Sequence, residues 1–266
     1  MPHPCGYINP ALAKRVAILG STGSIGCSAL DVISHLGAGY RAVALSARSQ
    51  TEKLIEQVDR HRPAAVGVAD ETDDACCRSI EKLGAKVYRG VDGLIEMVRR
   101  DDVDIVLSAI VGAAGLPATF AAVRAGKTLA LANKESLVVA GSLLVPEARK
   151  RNVAILPVDS EHSAIFQAMK SGRHAEVRRV ILTASGGPFR TASPETIARA
   201  TPAEALAHPT WRMGNKITID SSTLFNKGLE LIEACWLFDL PPEKIEIVVH
   251  PESIIHSMVE FVDGST

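Results

Sequence analysis

The first half of the chain alternates short apolar runs with amphipathic stretches. RVAILG (15–20), YRAVALS (40–46), AAVGVAD (64–70), AKVYRG (85–90), DIVLSAI (104–110), TLALAN (128–133) and NVAILPV (152–158) read as strands. Helical periodicity falls between them at 24–36, 51–62, about 73–83 and 116–125. Near-continuous apolar strands separated by helices predict an α/β fold, a doubly wound parallel sheet covered on both faces. This Rossmann-like domain is expected over residues 1–158.

The pattern changes over 159–266, where a smaller α+β domain is expected. RRVILTA (178–184), KITIDS (216–221), KIEIVVH (244–250) and IIHSMVEFV (254–262) read as strands. STLFNKGLELIEACWLF (222–238) reads as a helix capped by Asp220 or Ser221. Its periodicity puts Asn226, Lys227 and Glu230 on a polar arc. Leu224, Leu231, Ile232, Cys235 and Trp236 are expected to face the core. Residues 185–216 are dense in Gly, Pro, Ser and Thr and predict a long mobile loop. The sequence stops at VDGST directly after a strand, which suggests a piece of a longer protein.

Composition narrows the partners. Net charge is −1, which gives no bulk attraction to nucleic acid or to an anionic membrane. No apolar run is long enough to span a bilayer, and the proline-bearing start MPHPCGYINPALAKR has no signal core. Cys5, Cys27, Cys76, Cys77 and Cys235 are odd in number and irregular in spacing, as reduced cytoplasmic thiols are.

Candidate chemistry sits at the ends of strands. LGSTGSIG (19–26) follows the first strand and opens a helix, with Gly20, Gly23 and Gly26 spaced G-x-x-G-x-x-G. Small residues there let backbone N–H groups approach a pyrophosphate; the bland alternative is a tight turn. Ala47, Arg48 and Ser49 follow the second strand with no acid before Glu52. An NAD-selective site would place a carboxylate there, whereas Arg48 meets a 2′-phosphate, so NADPH is favoured. VDSEHSA (158–164) carries Asp159 and Glu161, which taken alone are equally an exposed turn. Glu230, beside Asn226 and Lys227, adds a third carboxylate suited to a hard divalent cation near an anionic substrate. LANKES (131–136) places Asn133, Lys134 and Glu135 at a strand's C-terminal end, and SGGP (185–188) is a small-residue loop able to cradle phosphate.

GSTGSIG, LANKES, VDSEHSA, TASGGPF, HPTWRMG and DSSTLFNKGLE, in that order, strongly resemble 1-deoxy-D-xylulose 5-phosphate reductoisomerases from about residue 14 to 266. The resemblance implies an NADPH domain, a connecting catalytic domain and a C-terminal helical domain; the last is absent from this sequence. It implies Mg²⁺ or Mn²⁺ on Asp159, Glu161 and Glu230, oxygen ligands that suit hard ions rather than zinc. Ser185, Ser221, Asn226 and Lys227 match phosphate contacts, and Ser160 and Lys134 match contacts to the hydroxyl end of a small phosphorylated sugar. His208 and Trp211 match a lid. Lys134, Glu161 and His208 are the catalytic candidates. Gly20, Thr22, Gly23, Ser24, Ile25, Ala47, Arg48, Ser49, Asn133, Glu135 and Gly214 are the cofactor candidates. The implied reaction is isomerisation and NADPH-dependent reduction of the sugar phosphate to 2-C-methyl-D-erythritol 4-phosphate, by a cytoplasmic homodimer. Two other readings stay open: a truncated NADPH-binding module without turnover, and a semialdehyde- or homoserine-type dehydrogenase, a class that lacks the VDSEHSA and FNKGLE pair. His162 and His250 read as structural, and His256 as ambiguous.

Overall fold

The computed structural model describes residues 13–69, 73–211 and 214–266. Cys5, Asp70 and the Arg212-Met213 pair of HPTWRMG lie outside the described residues. Two compact units form. One runs up to Ser136 and takes in Pro146–Leu156; the other holds Leu137–Val145 and Pro157–Thr266.

The first unit is built from β1 (Lys14–Leu19), α1 (Ser24–Leu36), β2 (Tyr40–Ala47), α2 (Thr51–His61), β3 (Ala65–Val68), α3 (Asp74–Lys82), β4 (Lys86–Arg89), α4 (Gly90–Val98), β5 (Ile105–Ser108), α5 (Leu116–Arg124), β6 (Thr128–Leu131), the two ends of α6 (Glu135–Lys150), whose middle Leu137–Val145 belongs to the other unit, and β7 (Ile155–Pro157). Its seven-stranded sheet runs β4-β3-β2-β1-β5-β6-β7. The pairs around β1, and those of β3 with both its neighbours, are parallel, so the predicted doubly wound α/β class is the observed one. Val16–Leu19 and Ala42–Ala47 are buried without a break, as strands covered on both faces must be. Ala17, Leu19, Ala44, Val106 and the α4 side chains Leu94, Met97 and Val98 form one continuous core. The chain order reverses at β1, which has β2 on one side and β5 on the other. That switch point lies just before the glycine loop.

The sequence pattern assigns no helix to 90–98, 135–150 or 160–168. In α6 the reason is visible: Ala140 has non-helical backbone angles and Pro146 interrupts the hydrogen-bond ladder, so the helical period is broken twice.

The second unit adds α7 (Ser160–Ala168), β8 (Val177–Ala184), α8 (Pro194–Ala198), α9 (Pro202–Leu206), α10 (Asn215–Ser222), α11 (Phe225–Phe238), β9 (Ile245–Val249) and β10 (Ser257–Phe261). Its sheet runs β10-β8-β9, antiparallel on one side of β8 and parallel on the other. Val180, Leu182, Ile165, Phe238 and Val259 fill its core.

Three expectations fail here. KITIDS is helix α10, not a strand. Its apparent alternation hides an i,i+4 pattern in which Thr218 and Ser222 are buried while Ile219 is exposed. Lys216 and Asp220 form an i,i+4 ion pair along the same helix. Neither Asp220 nor Ser221 caps α11, because both belong to α10; the N-cap is Leu224, in the left-handed region at φ 61°. Finally, the core face of α11 is only partly the expected one, with Leu231 and Cys235 packed against the core. Lys227, Glu230 and Glu233 are buried, whereas Leu224 and Ile232 are exposed. Hydrophobic patterning assumes that charge seeks water, and here the charges pair with one another instead.

Candidate active site

The acidic segment 159–162 begins helix α7, with Asp159 at its N-cap and Glu161 in its first turn. Carboxylates at that end meet the positive pole of the helix. Buried Glu230 comes from α11, where Asn226 Nδ2 donates to its Oε1 and Lys227 Nζ to its Oε2. One oxygen each of Asp159, Glu161 and Glu230 lie within 4.8 Å of one another. Burial, then the charges of Glu230 and Asp159, push the Glu161 carboxyl above its ordinary pKa; Lys227 and the Ser160 hydroxyl, which donates to Glu161 Oε2 at 2.7 Å, act the other way. A bound cation would remove that repulsion. Three convergent oxygen donors with this electrostatic strain fit Mg²⁺ or Mn²⁺.

Asp159 also belongs to a second cluster, with His162 and Glu233. His162 is fully buried; its Nε2 is 2.9 Å from the Glu230 carbonyl, which can only accept, so Nε2 carries the proton. Its Nδ1 lies 3.3 Å from Glu233 Oε2. Neither His162 nor Glu233 lines the cavity described next, so this cluster supports the oxygen site from behind.

A cavity of about 320 Å³ within the second unit gathers Asp159, Ser160, Glu161, Ser185, Trp211, Ser221, Asn226, Lys227 and Glu230. These come from sequence positions spread over 159–230. Ser185 and Gly186 follow β8, Ser221 ends α10, and Asn226 and Lys227 start α11. Gly187 has φ 66°, and a Cβ there would stand 2.4 Å from the Ser221 carbonyl oxygen, so the SGGP loop packs against α10 only as glycine. His208 does not line the cavity but hydrogen-bonds two residues that do, Ser185 and Trp211. The amides of Thr210 and Trp211 donate to His208 Nδ1 at 3.2 and 3.0 Å, which leaves Nε2–H to meet Ser185 Oγ at 3.1 Å. Burial lowers the His208 pKa, in keeping with a neutral ring. Gly214 is the N-cap of α10.

His256 is the site residue the sequence reading left undecided. It lines the cavity, with Nδ1 3.3 Å from Glu161 Oε1 and its ring 6.4 Å from that of Trp211. Ser253 and Ile217 also line it and were not singled out. Ser253, with φ 50°, carries no motif; only its geometry reveals it.

The cofactor candidates lie in the first unit. Gly20 has φ 83°, and a Cβ there would meet the Ala109 carbonyl oxygen at 2.7 Å. A Cβ on Gly26 would meet Gly20 O at 2.4 Å, so Gly26 seats α1 on its own loop. Gly23 is the N-cap of α1, which has no side-chain cap and no acid in its first turn. A helix start left in that state suits an anion such as a pyrophosphate, and the loop fits the dinucleotide. Thr22 and Ala47 are buried; Ser24, Ile25, Arg48 and Ser49 are exposed. Asn133 is buried and its side chain is engaged. Nδ2 donates to the Ile110 and Gly112 carbonyls, and Oδ1 accepts from the Ser136 amide and hydroxyl. It therefore holds the loop after β5 against the start of α6, where Lys134 and Glu135 sit.

Comparison with known proteins agrees with this layout. A family model described as 1-deoxy-D-xylulose 5-phosphate reductoisomerase matches residues 16–141, and one for the C-terminal domain of the same enzyme matches 155–238. The reductoisomerase of Anaeromyxobacter dehalogenans is 54% identical over 252 residues, 95% of this chain and 65% of that protein. The one from Chlorobaculum tepidum is 52% identical over 254 residues, covering 94% of this chain and 66% of that one. Among solved structures, a DOX-P reductoisomerase in complex with NADPH, fosmidomycin and magnesium has a TM-score of 0.89 at 44% identity, over 95% of this chain and 65% of that one. The Zymomonas mobilis enzyme in complex with NADPH has a TM-score of 0.86 at 46% identity, with the same coverage. The chain thus spans about two thirds of the length of the relatives it matches.

Proposed function

We infer that this chain, which belongs to the 1-deoxy-D-xylulose 5-phosphate reductoisomerase family, carries the catalytic machinery that converts 1-deoxy-D-xylulose 5-phosphate to 2-C-methyl-D-erythritol 4-phosphate with NADPH. The observation that carries this reading is the cavity. It sets three carboxylates at one place and Ser185, Ser221, Asn226 and Lys227 around the same space. That combination suits a substrate with a chelating ketone–hydroxyl end and a phosphate end.

Asp159, Glu161 and Glu230 would hold the divalent ion, and Ser160 would meet the substrate's hydroxyls. Ser185, Ser221, Asn226 and Lys227 receive the phosphate, so Lys227 exchanges part of its pairing with Glu230 for the incoming anion. The divalent ion supplies Lewis-acid polarisation of the rearranging carbon skeleton, and NADPH supplies the hydride that reduces the resulting aldehyde. His256 Nδ1, 3.3 Å from Glu161 Oε1, is placed to orient that carboxylate for the ion. Residues 185–216 act as a lid that excludes water from the reactive aldehyde, with His208 and Trp211 closing on the substrate. The glycine loop, Ala47, Arg48 and Ser49 receive the cofactor, with Asn133, Glu135 and Gly214 as further contacts.

The testing experiment is NADPH oxidation by this chain with 1-deoxy-D-xylulose 5-phosphate, with and without Mn²⁺. Metal-dependent turnover is expected; binding of NADPH without turnover would support the cofactor-module reading. Hydrogen exchange with and without a phosphonate substrate mimic checks the lid, and equal protection over 185–216 in both states counts against it. No described helix is long and apolar enough to cross a membrane. A cytoplasmic homodimer is the assembly we propose, and light scattering at several concentrations tests the dimer.

A further inference from the structure

Helix α2 buries Leu54 and Val58 completely, yet between them on the same face it also buries Gln57, an amide with two donors and an acceptor to satisfy. Apart from Cys27 Sγ in α1, to which Nε2 donates at 3.7 Å, its partners are in the glycine loop. Gln57 Nε2 donates to the Ser21 carbonyl at 2.9 Å, and Ser21 Oγ donates back to Gln57 Oε1 at 2.7 Å. One turn earlier on α2, Lys53 Nζ donates to the Thr22 carbonyl at 2.9 Å. Two consecutive carbonyls of the loop are therefore tied to one helix by side chains at i and i+4.

The planar trans peptide turns this into a constraint on the opposite edge. A carbonyl and the next residue's N–H point in opposite directions across one peptide plane. With the Ser21 carbonyl fixed on α2, the Thr22 N–H is turned away from α2. The following peptide is fixed at both ends, its carbonyl by Lys53 and its Gly23 N–H by the Gly20 carbonyl at 3.2 Å. The amides of Gly20 and Ser21 are held by the Ser46 carbonyl at 3.1 and 2.8 Å, from the end of β2. The loop is thus set before any ligand arrives, in the one region where glycine would otherwise leave it free.

We propose that Lys53 and Gln57 are positioning residues for the dinucleotide: they pin the Ser21 and Thr22 carbonyls to α2 and so pre-orient the loop that receives the pyrophosphate. The assignment rests on the cofactor reading above. It involves two residues that carry no recognisable motif, one of them neutral and buried, where it cannot touch the ligand by charge.

The test compares the parent chain with Lys53→Met and Gln57→Met. NADPH dissociation constants are read by nucleotide fluorescence, KM and kcat by NADPH oxidation, and Mn²⁺ affinity by titration. Each variant is expected to bind NADPH about tenfold more weakly, the effect of a lost hydrogen bond at the strong end of its usual range. The loss should appear in KM for NADPH, with kcat at saturating NADPH and Mn²⁺ affinity within twofold of the parent. A general loss of packing would move all of these together. Lys53 is exposed, so its variant remains informative if Gln57→Met unfolds. Parental NADPH affinity in the variants overturns the proposal. A loss in Lys53→Met alone, with a folded Gln57→Met at parental affinity, also overturns it, because Lys53 would then act by charge. A parent chain that binds no NADPH overturns the cofactor reading itself.

Discussion

Helices α2 and α11 are of similar length and both bury apolar side chains, but α11 buries charged ones as well. α2 buries Leu54 and Val58 and turns Glu52, Glu56 and Arg60 to water. α11 buries Lys227, Glu230 and Glu233 and leaves Ile232 exposed. The first arrangement is what the hydrophobic effect alone selects. The second is held by pairing. Lys227 and Asn226 satisfy Glu230, and Glu233 lies against His162. Buried pairs of this kind contribute little net stability, because desolvation offsets their attraction. The cavity of the second unit therefore sits beside charge that is buried for binding rather than for stability.

That contrast breaks most sharply at the candidate metal site. Asp159→Asn and Glu230→Gln keep side-chain shape but each removes a charged oxygen. Loss of an outer-sphere partner alone costs metal affinity about 10–100-fold, so losing a ligand should cost on the order of 100-fold or more, together with most turnover. NADPH affinity should stay at its parental value, since the cofactor candidates of the glycine loop lie in the other unit. Mn²⁺ titration and NADPH fluorescence on the same samples check both halves.

The stability side of the comparison comes next. Leu54→Ala in α2 should destabilise the metal-free chain by about 2–5 kcal/mol, as core truncations do. Replacing Lys227 and Glu230 together with Met and Leu should be neutral or stabilising by about 1–4 kcal/mol, although it abolishes metal binding. Lys227→Met alone should cost about 3–5 kcal/mol by leaving Glu230 buried and uncompensated. Urea unfolding of metal-free protein distinguishes these; a double variant less stable than either single one would show that the buried pair stabilises the fold.

At the cofactor loop the expected effect is smaller and selective. Arg48→Ala should weaken NADPH by about 10–150-fold, the loss of one charge-assisted hydrogen bond of roughly 1.5–3 kcal/mol, and leave NADH almost unchanged. An unchanged NADPH/NADH ratio in one buffer at fixed salt would remove Arg48 as the selectivity residue.

The smallest effect concerns a charge at the rim of the first unit. Arg15 hydrogen-bonds Asp104 through its guanidinium at 2.8 and 3.0 Å, which holds the carboxyl down to about 2. A depressed carboxylate contributes stability above its ordinary pKa near 3.9 and loses it as pH falls through about 2. The stability gap between parent and Asp104→Asn should therefore be small and constant above about pH 4, and close as pH approaches 2. Both groups are partly open to solvent, which keeps the effect modest. Urea melts at several pH values measure it.

The same contrast explains what could be read from the sequence. The strands around β1 and helices α1, α2, α3 and α5 follow from periodicity, because burial there is apolar and repeats with the backbone. The candidate metal and phosphate residues stand out as motifs, and the cavity gathers all seven of them. The face of α11 was legible only at Leu231 and Cys235, because Lys227, Glu230 and Glu233 are buried there and Ile232 is exposed; α10 was missed because it buries Thr218 and Ser222 and exposes Ile219. Gln57 and Lys53 escaped notice because each donates to a backbone carbonyl, a partner that leaves no mark in the sequence.

Leu224 joins α10 to α11 at φ 61°, where a branched side chain crowds its own carbonyl at a cost of roughly 1–2 kcal/mol. That single left-handed residue makes the bend that lets Ser221, at the end of one helix, and Asn226 and Lys227, at the start of the next, line one cavity. Selection for thermal robustness and selection for activity therefore pull this position in different directions. A glycine would relax the backbone, but it would also loosen the corner and remove a side chain from the cavity wall. A library screened only for heat resistance should accumulate changes at residue 224, and one screened for turnover should keep the strain.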